Sequence, residues 1–190
     1  MIIPGIQIAE RHHSRVLQQP LASPRRGIML HYDDSSRDDW AIDWFDDSRC
    51  TNGYTWLVLD DGRVVELADP AMRTPHAGPC RTPMANSAYY GIAATTNGLV
   101  LATDAQLTSI ATLCAAIHRY HGWEANAGAG GGSAPRIVGH DKEAIWTPTY
   151  TDVQALWGKV GRKIDPMGRR ADGRPIIDVA EVTRRVAALG

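Results

Sequence analysis

The stretch YTWLVLDDGRVVEL (54–67) constrains the fold more than any other part of the chain. Two runs of β-branched, aromatic and aliphatic residues flank Asp61-Gly62, the dipeptide that suits a tight hairpin, so two antiparallel strands are expected there. Further strand material surrounds them. GIMLHY (27–32) is a short apolar run bounded by Arg-Arg and DDSS, and it reads as a buried strand ending at His31 and Tyr32. YYGIAATT (89–96) reads as another strand, and RIVGH (136–140) as a short one that delivers His140. The Pro-, Gly- and Arg-containing segment between the hairpin and YYGIAATT reads as loop.

Three helices are expected among these strands. Ser35 or Ser36 opens the first, in which Trp40, Ala41, Trp44 and Phe45 recur at helical spacing and are expected to form one buried face. Thr103 and Gln106 match a capping box, and Leu107, Ile110, Leu113, Cys114 and Ile117 then follow one helical face as far as Gly122. Asp178 and Glu181 open a last helix carrying Val179, Val182, Val186 and Leu189. The glycine-rich AGAGGGSAP (127–135) reads as a surface loop. No Gly-Lys-Ser/Thr follows it, so it is no nucleotide cradle. Strands interleaved with helices indicate an α/β fold: a single domain with a mixed central β-sheet flanked by helices, preceded by an N-terminal arm (1–26) and occupying residues 27–190.

At 190 residues the chain suits one domain with a real core. A formal net charge of −1 gives no positive field to draw nucleic acid or an anionic membrane. Neither a signal peptide nor a membrane-spanning run is visible, so a soluble, cytoplasmic chain is expected. Cys50, Cys80 and Cys114 form an odd, widely spaced set that reads as free thiols.

Zinc hydrolases need three protein ligands and an open position for water. His31, His140 and Asp165 each end an expected element, His140 beside Gly139 and Asp165 beside Pro166, and two strand-end histidines with one carboxylate meet that need. Spacing alone leaves the alternative open. A strand-end histidine is more often a hydrogen-bonded core or surface residue, an Asp-Pro aspartate often caps a turn, and Lys163 beside Arg162 can be simply solvated.

Taken in order, GIMLHY, GYTWLVLDDGRVVEL, PHAG, NSAYYGIA, the helix from Asp104, IVGH and GRKIDP resemble the amidase-2 family of zinc N-acetylmuramoyl-L-alanine amidases over roughly residues 27–189. That family includes phage endolysins, bacterial recycling amidases and animal peptidoglycan recognition proteins. K-x-D-P and the strand-end VGH are the most specific parts of the match. The resemblance implies Zn²⁺ held by His31, His140 and Asp165, with Lys163 stabilising a developing oxyanion. It implies Tyr54, in GYTW, beside the attacking water, and His76, in PHAG, at the rim of the substrate cleft. The implied substrate is peptidoglycan or a muropeptide, with no nucleic-acid or membrane partner and a monomeric chain. The absence of a signal suits a phage endolysin released at lysis or a cytoplasmic recycling amidase.

Three departures stand out. Where many members carry a catalytic glutamate in G-I-E-L, this chain reads GIAA, with Ala93 at that place. The insert DKEAIWTPTYTDVQALWGKV separates His140 from GRKIDP, and its Trp146 and Trp157 either line the substrate cleft or form a small satellite core. The family's D-P-G reads Asp165-Pro166-Met167. The rival to an amidase is a muropeptide-binding module of the same fold that has lost catalysis with the glutamate. His76 and Cys80 are also spaced as H-x-x-x-C, a pair short of two metal ligands. His12, His13, His118 and His121 are expected at the surface.

Overall fold

The computed structural model describes residues 1–12, 18–50, 52–77, 80, 82–123, 136–140 and 172–190. Trp146, Trp157, Lys163, Asp165, His13 and the loop at 127–135 lie outside the described residues.

The hairpin forms as its sequence demands. Strand β4 (Trp56–Val58) pairs antiparallel with β5 (Val64–Glu66), and Gly62 takes the turn at φ 87°, a left-handed value that suits glycine. It sits in a mixed six-stranded sheet with β1 (Glu10–Arg11), β3 (Gly27–Tyr32), β7 (Tyr89–Ala94) and β8 (Ile137–Gly139), in the order β1-β5-β4-β7-β3-β8. Strands β4, β7, β3 and β8 run parallel, which puts the carboxyl ends of β3 and β8 side by side. A separate two-stranded ribbon joins β2 (Gln19–Pro20) to β6 (Met72–Arg73).

Helix α3 (Asp104–His121) closes the capping box at Thr103 and Gln106 and ends at Gly122 in the left-handed conformation. With α4 (Val179–Ala188), capped by the Asp178 side chain, it covers one face of the sheet. Ile28, Leu30, Trp56, Val58, Tyr90 and Ile92 point to that face, against Ile110, Leu113, Cys114, Val182 and Val186. The opposite face is covered in two pieces. Helix α1 (Asp38–Asp46) lies over Leu57, Val65 and Ala93, and the short α2 (Ala85–Ala88) packs with Met29 and Val138.

Several expectations need correcting. The buried stripe of α1 is Ala41 and Phe45, whereas Trp40 and Trp44 are 56% and 43% exposed. The two pairs lie about 100° apart on the helix, and only one can face the sheet. Outside, the Arg37 guanidinium stacks over Trp40, and the Trp44 indole N–H donates to Asn52 Oδ1 at 3.4 Å. His118 is not at the surface but 3% exposed, in ring contact with Trp123. The segment read as loop before YYGIAATT contains α2.

The described part of the N-terminal arm is tied into the body. Ile3 is in the core, and β1 pairs in parallel with β5. Arg25 donates to the carbonyls of Ser87, Tyr89 and Met72 and lies 4.2 Å over the Tyr90 ring. Burial lowers its pKa to about 10.

Asp33 clamps the end of β3 to the end of β7. Its Oδ1 accepts from the Ser35 and Thr96 amides, while its own amide donates to Ala94 O. Burial pushes its pKa up to about 7, above the unfolded value of about 3.9. Between those values the folded chain holds the extra proton, so this contribution to stability is full below about pH 4 and is lost as pH rises to about 7. Asp33→Asn should therefore flatten the fall in stability between pH 4 and 7, read from urea unfolding midpoints across that range. An unchanged slope would show that Asp33 ionises as readily in the folded chain as in the unfolded one.

Candidate functional site

Register brings the strand-end histidines together. Leu30 pairs with Gly139 across β3 and β8, so the next residues, His31 and His140, leave the two strands as neighbours. Crevices beyond the carboxyl ends of parallel strands are where α/β sheets bind ligands. His31 shares its sheet face with Met29, and the facing layer divides there between α1 and α2. Its register partner on β7 is Ala93.

Both rings are almost wholly buried, at 1% for His31 and 2% for His140. Their Nδ1 atoms face each other at 3.1 Å, with ring centroids 4.7 Å apart. Tyr54, just before β4, places its ring 5.0 Å from His31 and rests edge-on against Phe45 of α1.

His76 is buried too, behind the His31 ring rather than on an open rim. Its Nδ1 lies 3.1 Å from His31 Nε2, and its Nε2 lies 3.2 Å from the carbonyl oxygen of Tyr89. Burial, reinforced by the His31 and His140 rings, holds the His76 pKa well below the ordinary histidine value, so the ring is neutral. Gly91 leaves room for it: a Cβ there would meet His76 Cγ at 2.7 Å. The His140 Nε2 lies 2.7 Å from Ala77 O. Asn86 of α2 holds this loop, its Oδ1 accepting from the amides of both His76 and Ala77 at 2.9 and 2.8 Å. Cys80 donates its thiol to Ala77 O.

These contacts bear on whether a metal fits. A carbonyl only accepts, so His76 carries its proton on Nε2 and offers a bare Nδ1. His31 must then donate from Nε2, and His140 donates from Nε2 to Ala77 O. The nitrogens that these two rings turn toward each other are their Nδ1 atoms. Tetrahedral zinc with Zn–N bonds of about 2.0–2.1 Å would set two ligand nitrogens about 3.4 Å apart, within a few tenths of the observed separation. Imidazole is also a donor that zinc favours. Among the described residues no set of three His, Cys, Asp or Glu side chains is placed to hold a metal, and the expected third ligand, Asp165, lies outside them. The residues present fit a zinc ion as two of its ligands.

Of the expected site residues, the structure therefore brings together His31, His140, Tyr54 and His76. Sequence reasoning missed Asn86 and the Ala77 carbonyl. NSAYYGIA contains Asn86, but its contacts are to backbone amides and leave no residue pattern of their own.

A family model described as N-acetylmuramoyl-L-alanine amidase, Amidase_2, matches residues 21–168. No curated protein sequence gives a significant match. Among solved structures, a selenomethionine derivative of AmpD is similar over 98% of this chain and 99% of its own, at 18% identity and a TM-score of 0.63. The amidase AmiD of E. coli, in complex with the substrate anhydro-N-acetylmuramic acid-L-Ala-D-γ-Glu-L-Lys, is 17% identical, covering 88% of this chain and 60% of that one at a TM-score of 0.57. The endolysin LysCS of Clostridium intestinale URNW, an N-acetylmuramoyl-L-alanine amidase, is 17% identical over 82% of this chain and 99% of its own, at a TM-score of 0.51. At these identities the likeness speaks for the fold.

Proposed function

Because the chain belongs to the amidase-2 family, whose model matches most of its length, we propose that it is a zinc-dependent amidase of peptidoglycan. The bond cleaved joins the lactyl group of N-acetylmuramic acid to L-alanine. The observation that carries this reading is the pair of buried histidines whose Nδ1 atoms approach to 3.1 Å at adjacent strand ends. His31, His140 and Asp165 would hold the metal.

A zinc ion bound there supplies Lewis acidity and a water acidified into the neutral range. The chain's own residues do the rest. Tyr54, beside His31, orients the attacking water or passes a proton to the departing amine. Lys163, placed by its motif, donates to the oxyanion that develops on the lactyl carbonyl. The amine of L-alanine leaves protonated, and no covalent bond to the protein forms. Trp146 and Trp157 are assigned to the wall of the substrate cleft. The chain acts as a monomer, either as an endolysin made in the cytoplasm and released to the wall or as a cytoplasmic recycling enzyme.

One observation favours a second reading. Ala93, opposite His31 in register, puts a methyl group where a carboxylate would be a natural general base. A muropeptide-binding module would tolerate that. The experiment that separates the two is release of new L-alanine amino termini from purified peptidoglycan by the zinc-loaded protein, with and without chelator. Chelator-sensitive release supports the amidase; binding of muropeptide with no release overturns it. If Tyr54 acts as proposed, Tyr54→Phe should lower turnover about tenfold, the rate equivalent of one neutral hydrogen bond, at unchanged zinc content. Wild-type turnover would remove Tyr54 from the chemistry.

A further inference from the structure

We propose that the outward face of α1, built on Trp40 and Trp44, is a docking strip for the glycan strand of polymeric peptidoglycan. The proposal takes its occupant from the amidase reading above and extends that reading from the bond cleaved to the polymer that carries it.

Trp40 and Trp44 are one helical turn apart, so their rings are neighbours separated by about 6 Å along the axis, a span that suits a sugar ring. Two large aromatics exposed side by side mark a contact surface. Both are held in place although neither is buried. Arg37 stacks over Trp40 and is itself fixed by Asp39, whose Oδ1 accepts from its Nε at 2.9 Å. The Trp44 indole N–H donates to Asn52 Oδ1. Rings braced in this way have little freedom left to lose on binding.

The polar groups beside the rings point to a sugar rather than to a purely apolar partner. Asp43 is exposed on the same helical face and offers a carboxylate to accept from hydroxyls, while exposed Asn52 has an amide nitrogen to donate. A pyranose shows C–H bonds on its face and hydroxyls around its rim, and an indole flanked by an acceptor and a donor meets both. Charge narrows the choice further. Asp38, Asp39, Asp43 and Asp46 make α1 acidic, with no basic residue inside the helix, so an anionic polymer or membrane is repelled. The sugars of peptidoglycan are neutral wherever the lactyl carboxyl is tied up in the amide. The inner side of the same helix lies over Ala93, the register partner of His31, and its Phe45 rests on Tyr54, 5.0 Å from the His31 ring. A strand held on the outer side of this wall therefore raises the local concentration of scissile bonds at the site.

The test uses the full, zinc-loaded chain and two kinds of ligand. An oligomer of β-1,4-linked N-acetylglucosamine has the sugar backbone, no lactyl carboxylate and no bond for an amidase to cut. Calorimetric titration should show it binding to wild type, and about tenfold or more weakly to the Trp40→Ala, Trp44→Ala double variant. Trp44→Tyr, which keeps a stacking ring, should lose less than Trp44→Ala. Release of L-alanine amino termini from intact peptidoglycan should fall in the double variant, while release from a soluble monomeric muropeptide stays within about twofold of wild type. Val100→Ala, at an apolar side chain 58% exposed on the turn before α3, should change neither. A folded double variant with wild-type affinity for the oligomer overturns the proposal, as does a wild type that does not bind it. A wild type that self-associates through this face, with the double variant monomeric, assigns the strip to a second copy instead. Absence of hydrolysis in every variant overturns the amidase reading, and the titration still decides the strip.

Discussion

Replacing His140 by alanine should empty the metal site and abolish hydrolysis. The substitution removes one of three proposed ligands and also the contact to Ala77 O that anchors β8 against the loop at 74–77. His31→Ala should do the same from the neighbouring strand end. Without the metal, the attacking water reverts to a pKa some 8 units higher, so turnover should fall on the order of 10³-fold or more. The control is His12→Ala: His12 sits on the arm and pairs with Glu10 and Asp46, remote in chain and contact from the His31 cluster. His118 is unsuited as a control because it is buried in α3, and its loss should cost stability. Zinc content by elemental analysis, measured beside amino-terminus release, reads the result. Equal zinc in His31→Ala, His140→Ala and His12→Ala would sink the assignment.

The second large effect is expected at Lys163. Lys163→Ala removes no proposed ligand, so zinc content should hold while turnover falls by about 10²-fold, the usual cost of losing one preorganised charge at an oxyanion. A lysine that is merely solvated beside Arg162 would cost almost nothing. Lys163→Arg should rescue poorly, because the planar guanidinium is larger and delivers its hydrogen bonds in a fixed fork. Wild-type rates in Lys163→Ala would leave GRKIDP with a metal ligand and no catalytic charge.

The parts of the fold that were legible in the sequence are those built from local signals. Asp61-Gly62 fixes a turn within a few residues, and Thr103 with Gln106 closes a capping box within one helical turn. GIMLHY and RIVGH announce themselves as short buried runs, and each delivers a histidine at its end. What was not legible depends on the partner across the gap. Periodicity gave α1 an apolar stripe wide enough to include Trp40 and Trp44, but only the sheet decides which part of the stripe is covered. Strands β1 and β2 are too short to show alternation and exist because β5 and β6 offer them backbone partners. His118 looked polar by position and is buried because Trp123 folds back on it. The link from His76 to His31 runs through ring nitrogens and a carbonyl, so residue types announce the histidines and not the contact between them.

The pairing of β3 with β8 has a consequence for how the molecule is assembled. His31 and His140 are 109 positions apart in the chain, and their Nδ1 atoms meet only when β8 docks in one register. Because side chains alternate between faces, a slip of one residue would turn His140 away from His31. Parallel pairings between distant segments are slow to form, since the entropy of closing the loop is spent before contacts compensate it. A collapsed intermediate holding the hairpin and α3 but not β8 would have no metal site, however native the rest looked. Metal bound at these histidines, as proposed, would act on the docking of β8 by mass action, drawing the population toward chains whose sheet is complete.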